Sequence, residues 1–178
     1  MVKYTIHDQI HPNYSNVLPF ESEFNSRIWY NYFLDNFHYN YIACILYVII
    51  IFSGKKWMKN REGLKGSRIL FVWNLSLCLF SMFGFVRMFA EIPLLLDHYK
   101  NLKCTICIPQ LETGPSAFWQ VMFTLSKFVE FGDTFLLVAR KKPVIFLHWY
   151  HHVTVLLFTM HVVTRFNPIG RWMVSSSP

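Results

Sequence analysis

Long apolar runs separated by short charged stretches occupy most of this 178-residue chain, and their spacing predicts four membrane-crossing helices. The first is placed at about 33–52. Its apolar run, 39–52, is short for the ~20 residues a bilayer requires, so the preceding aromatic stretch with Trp29, Tyr30, Tyr32 and Phe33 is drawn in as an interfacial belt. The second is placed at 69–89, interrupted by Asn74 and Arg87, the third at 116–138 and the fourth at 144–163. Between the first two stand Lys55, Lys56, Lys59, Arg61, Lys65 and Arg68 against the single acid Glu62; between the last two stand Arg140, Lys141 and Lys142, then Pro143. The positive-inside rule puts both basic loops in the cytosol and the intervening 90–115 loop, with three acids and two lysines, in the lumen. The fold class expected is all-α, a polytopic helical membrane protein: a lumenal N-terminal segment 1–38, a membrane domain 39–163 and a short tail 164–178.

Composition agrees with that pattern. A content of 53% hydrophobic and 19% aromatic residues is too apolar for a soluble domain of this length. The net charge of +7 does not point to nucleic acid, because the basic residues gather between apolar runs rather than along one soluble face. Cys44 and Cys78 lie inside apolar runs, whereas Cys104 and Cys107 in the lumenal loop are placed for a disulfide, within the pair or to another segment. Asn13-Tyr14-Ser15 is a candidate glycosylation site on the lumenal side, and no cleavable signal peptide is expected. Arg87 and Glu91, four apart, are expected to pair at the far interface.

The third and fourth runs carry the candidate chemistry. Lys127, Glu130, Asp133 and Thr134 interrupt one; His148, His151 and His152 interrupt the other. Ionisable groups are expensive in a bilayer unless they meet one another, water or a substrate, which makes this stretch a site by default. If the two runs are antiparallel about the turn at 140–143, Glu130, His151 and His152 all lie about 15 Å from the turn, and Asp133 and His148 about 10 Å. Gln120, Lys127, Glu130 and Thr134 fall within an arc of about 80°, and the three imidazoles within about 100°. Such an imidazole trio permits metal ligation, or nucleophilic and acid–base catalysis on a thioester. The other histidines, His7, His11, His38, His98 and His161, are scattered singly, so a two-metal set of His boxes cannot be assembled and metal is the weaker reading.

Lys127-x-x-Glu130-x-x-Asp133-Thr134 followed by His148-Trp149-Tyr150-His151-His152 resembles the signature of the ELO family, the very-long-chain fatty acid elongases (3-oxoacyl-CoA synthases). The likeness runs from about Phe24 to Met173, and Trp149-Tyr150 with its flanks is most similar to the branch acting on saturated and monounsaturated chains. The resemblance implies four helices of a seven-helix fold, in a C-terminally truncated chain, in the endoplasmic reticulum membrane. It implies condensation of a long-chain acyl-CoA with malonyl-CoA to give 3-oxoacyl-CoA and carbon dioxide, with no cofactor and no metal. His151 would carry the acyl group, and His148 and His152 would orient it and handle protons. Lys127, Glu130, Asp133 and Thr134 would hold the imidazoles and the polar part of the substrate, and Arg140, Lys141 and Lys142 would attract CoA phosphates. Partners implied are the bilayer, both CoA substrates, other elongase subunits and the later enzymes of the elongation cycle. The alternative is a non-catalytic truncated isoform that associates with full-length elongases.

Overall fold

The structure, a computed structural model, describes residues 17–64, 67–100 and 114–165, so Asn13, Cys104 and Cys107 lie outside the described residues. The described elements are helices: α1 (Pro19–Ser22), α2 (Ser26–Asp35), α3 (His38–Met58), α4 (Ser67–Phe89), α5 (Glu91–Tyr99), α6 (Pro115–Val129), α7 (Phe131–Ala139) and α8 (Phe146–Thr164). Local sequence explains several ends. Asn25 accepts the Arg27 N–H at 3.0 Å to cap α2, and Gly114 at φ 90° turns the chain into Pro115, the first residue of α6, where its missing N–H costs nothing.

Two helices differ from the expected ones. Instead of a helix over 33–52, the chain breaks after Asp35 and α3 runs from His38 to Met58. Asparagine amides make the break, Asn36 donating back to the Tyr32 carbonyl at 2.8 Å and Asn40 to that of Phe37 at 3.0 Å, so each competes with the helix ladder. At its other end α3 tolerates Lys55 and Lys56, whose charges complement the carbonyl end of the helix dipole. The expected 116–138 helix is divided at Glu130, where ψ opens to −19° and the Asp133 N–H bonds to the Glu130 carbonyl at 3.1 Å, a tightened i→i+3 turn.

The centre of the molecule is α6, which packs against α8, α4, α2, α7 and α1, while α3 lies against α7 and α8. Its buried face includes Trp119, Gln120, Val121, Phe123, Thr124 and Lys127. Tyr47, Ile51, Val121, Phe131, Leu156 and Met160 form the main core. By contrast α4 buries only Gly84 and Met88, and leaves Ile69, Phe71, Val72, Leu79, Met82 and Val86 exposed. The outer face of α3 is likewise apolar, with Ile42, Ile45, Leu46, Ile49 and Ile50 exposed. Large uncovered apolar faces of this kind suit lipid as the surrounding medium. Among the described residues, His38–Met58 and Ser67–Leu94 are long and apolar enough to cross a membrane.

At the basic end, α7 stops in a Schellman turn. Lys141 adopts the left-handed conformation at φ 56°, its N–H bonds to the Val138 carbonyl at 3.0 Å, and the Lys142 N–H reaches back to that of Leu137 at 2.9 Å. The α3–α4 connection is stitched to this turn, the Leu64 N–H donating to the Ala139 carbonyl at 2.9 Å and Lys141 Nζ to that of Lys59 at 3.2 Å.

Candidate functional site

Helix α8 brings its imidazoles against α3 and α7. His152 is 8% exposed, and its ring stands 6.3 Å from those of both Tyr47 and Phe131, edge-on to each. The His148 ring lies 4.8 Å from His152 at a T-shaped angle, and that of His151 5.9 Å away. His151 is exposed, whereas His148 is half-buried and its Nε2 is shut away with no hydrogen-bond partner. Leaving a buried polar atom unpaired costs about 1–3 kcal/mol. Among the described residues the only other side-chain atom in that condition is Ser116 Oγ.

The charged residues come together differently from the expectation. Lys127 and Glu130, three apart on one face, satisfy each other at 2.6 Å, and the ammonium sits 4.1 Å from the Phe123 ring centroid. Ser126 Oγ donates a long bond of 3.4 Å to the same carboxylate. Asp133 accepts the indole N–H of Trp73 from α4, and Thr134 Oγ1 meets the Tyr47 hydroxyl at 2.6 Å. Among the described residues no hydrogen bond joins Lys127, Glu130 or Asp133 to an imidazole. The expectation that the acids hold the histidines directly is therefore corrected: their nearer partners are Lys127 and Trp73, and aromatic rings hold His152. Lys127 does remain within electrostatic reach of His152. Among the described residues no group of three His, Cys, Asp or Glu side chains is gathered closely enough for a metal.

Lys141 and Lys142, with Lys55, Met58, Lys59, Val138 and Pro143, line a cleft of about 390 Å³ at the basic end. Arg140 is not among its lining residues, although its backbone lies against Gly63. Lys55 Nζ also reaches the Val144 carbonyl at 3.4 Å. The imidazoles follow closely, since α8 begins just after Pro143 and His148 lies in its first turn.

A second polar cluster was not legible as such in the sequence. Glu21 of α1, fully buried, accepts Trp119 Nε1 at 2.8 Å, Arg87 Nε at 2.9 Å, the Leu18 N–H at 3.1 Å and Arg87 Nη2. Burial alone pushes its carboxyl up, but the bonds from Arg87, Trp119 and Leu18 and the charge of Arg87 outweigh that and hold it below the usual carboxylate range. Arg87 thus reaches Glu21 across the fold; the Glu91 side chain, its expected partner, lies outside the described residues. Sequence reasoning also missed Tyr47 and Trp73. The available signal was a polar-tipped aromatic within each apolar run, since such tips seek a partner when buried.

The described residues form an all-helical protein with apolar outer faces that suit lipid and with a lysine, acids and an imidazole set among its inner helices. The sequence model described as "ELO: GNS1/SUR4 family" matches residues 32–176. Similarity extends to "Very long chain fatty acid elongase 6" of Drosophila melanogaster, 36% identical over 92% of this chain and 52% of that protein. "Putative fatty acid elongase 3" of Caenorhabditis elegans is 39% identical over 91% of this chain and 51% of its own length, and "Very long chain fatty acid elongase 3" of Homo sapiens 38% over 74% and 48%. No solved structure matches. This chain belongs to the ELO family of fatty acid elongases, which are membrane proteins. It spans about half the length of the curated relatives it matches.

Proposed function

We propose that the chain is the imidazole-bearing part of a 3-oxoacyl-CoA synthase of the endoplasmic reticulum membrane, acting on saturated and monounsaturated long-chain acyl-CoA. In this reading α3, α4, the α6–α7 pair and α8 are the spans, four of seven. The observation that supports it best is the His148 nitrogen kept from water and left unpaired beside exposed His151. Neutral imidazole is a nucleophile toward a thioester, and His151 is the exposed ring of the three, open to an incoming substrate.

His151 attacks the thioester carbonyl, forming an acyl-imidazole and releasing CoA thiolate. Malonyl-CoA then loses carbon dioxide, and the resulting enolate attacks the acyl-imidazole carbon to give 3-oxoacyl-CoA and free His151. His148 and His152 orient the ring and hold the proton that its attack displaces, while Lys127, Glu130, Asp133 and Thr134 line the polar side of the site. The lysine-lined cleft beside Pro143 suits CoA phosphates, with Lys141 and Lys142 on its wall. Arg140 adds charge at the same mouth without lining the cleft. No cofactor and no metal is required by these steps.

The test uses microsomes whose only elongase is this chain, incubated with palmitoyl-CoA and labelled malonyl-CoA. A labelled 3-oxoacyl product is expected, falling at least about 100-fold in His151→Ala. Folded protein without product overturns autonomous condensation and supports a non-catalytic subunit that associates with other elongases.

A further inference from the structure

Helix α7 spans only Phe131–Ala139 and is separated from α6 by the break at Glu130. The tightened turn at Glu130 offsets α7 from the ladder of α6, so contacts from neighbouring helices bear on its rotation. Two neighbouring residues, Asp133 and Thr134, stand about 100° apart around its axis and face different helices. Trp73 of α4 holds Asp133 by its indole N–H, and Tyr47 of α3 holds Thr134 by its hydroxyl at 2.6 Å.

The Tyr47–Thr134 contact has no easy substitute. Tyr47 is 2% exposed and Thr134 0%, so neither water nor lipid reaches their bond. The Tyr47 ring also lies 4.0 Å from Phe131 at 16°, stacked, and the pair presents both rings to His152. On the opposite side a Cβ at Gly132 would fall 2.6 Å from the Trp73 ring, so the approach of α4 depends on that glycine. The grip on α7 is thus two-handed, and its output is the wall behind His152.

We propose that Tyr47 and Trp73 are positioning residues for the condensation: by gripping Thr134 and Asp133 from two helices they fix the rotation of α7 and hold the Tyr47–Phe131 wall that orients His152 and, through it, the other two imidazoles. The proposal rests on the reading of those imidazoles as the acyl-transfer site. Neither residue touches the reacting atoms. Their loss lowers turnover by loosening the imidazole trio, and leaves the CoA-binding mouth as it was.

The test has two arms on the same full chain. In detergent, diethyl pyrocarbonate labels histidines and peptide mass spectrometry reads each site. His152 is expected to be protected and His151 reactive, with labelling of His152 rising about fivefold in Tyr47→Phe and in Trp73→Phe, as loss of one net hydrogen bond implies. Thr134→Val is expected to match Tyr47→Phe, and the double variant to regain protection because no polar group is then stranded. In microsomes the single variants lower kcat about fivefold with KM for both CoA substrates within twofold. Unchanged His152 labelling in both aromatic variants, or a double variant as exposed as the sum of the singles, overturns the proposal. If labelling follows expectation but the unaltered chain forms no product, the condensation reading falls while the grip on α7 stands.

Discussion

Two polar clusters among the described residues, one around Glu21 and one around His152, are finished to different degrees. Glu21 has four donors around its carboxylate, Arg87 contributing two, Trp119 one and the Leu18 backbone one. Those account for all of a carboxylate's accepting sites. The imidazole cluster is left incomplete: His148 Nε2 has no partner, His151 is uncovered, and His152 is held by ring edges rather than by hydrogen bonds. A saturated cluster has only its stability to offer, while an unsaturated one keeps bonding capacity for something that arrives later. The first ties α1, α4 and α6 together; the second waits on α8.

The contrast is broken most severely at Glu21. Glu21→Ala removes the acceptor of four hydrogen bonds, two of them from Arg87, and is expected to cost about 3 kcal/mol, read as thermal unfolding in detergent, with His151 labelling unchanged in the folded fraction. If the loss is below about 1 kcal/mol, the cluster does not carry the structural role assigned to it. A milder version is obtained with acid. Because the folded Glu21 carboxyl lies below its ordinary value of 4.5, its contribution is complete above that pH and is lost as pH falls from there through the depressed value. Resistance to thermal unfolding in the native chain should decline below pH 4.5, and Glu21→Gln should lack that part of the decline.

Smaller again is the effect at Lys141, a non-glycine residue in the left-handed region at φ 56°. Lys141→Gly removes that strain and is expected to stabilise the fold by about 1 kcal/mol while weakening CoA affinity at the cleft. A destabilised variant would show that the lysine contact to the Lys59 carbonyl matters more than the strain. The smallest effect sharpens the comparison from the other side. His151→Ala, expected to remove activity, should change unfolding stability by no more than about 0.5 kcal/mol, because the side chain is exposed and supports nothing.

These differences also explain what was legible beforehand. Hydropathy put apolar helices at about 33–52 and 69–89, where the structure has His38–Met58 and Ser67–Phe89, and the helical period placed Lys127 and Glu130 on one face, where they do pair. The antiparallel arrangement brought Phe131, adjacent to Glu130, against His152 as equal depth required. What stayed hidden were contacts distant in sequence: Tyr47 to Thr134, Trp73 to Asp133 and Glu21 to Arg87. Periodicity describes which side of a helix is apolar and is silent about which neighbour supplies a single hydrogen bond. The breaks at Asn36 and Glu130 were hidden for a related reason, because they arise from local bonds of Asn side chains and from a tightened turn, while the surrounding apolar pattern continues unbroken.

The main-chain bond between Leu64 and Ala139 carries a last consequence. It hems the two basic loops together by atoms that every residue possesses, so this seam does not depend on which side chains stand along it. Substitutions at Lys55, Lys59 or Lys142 can retune the charge of that cleft while the main-chain seam beside it stays closed.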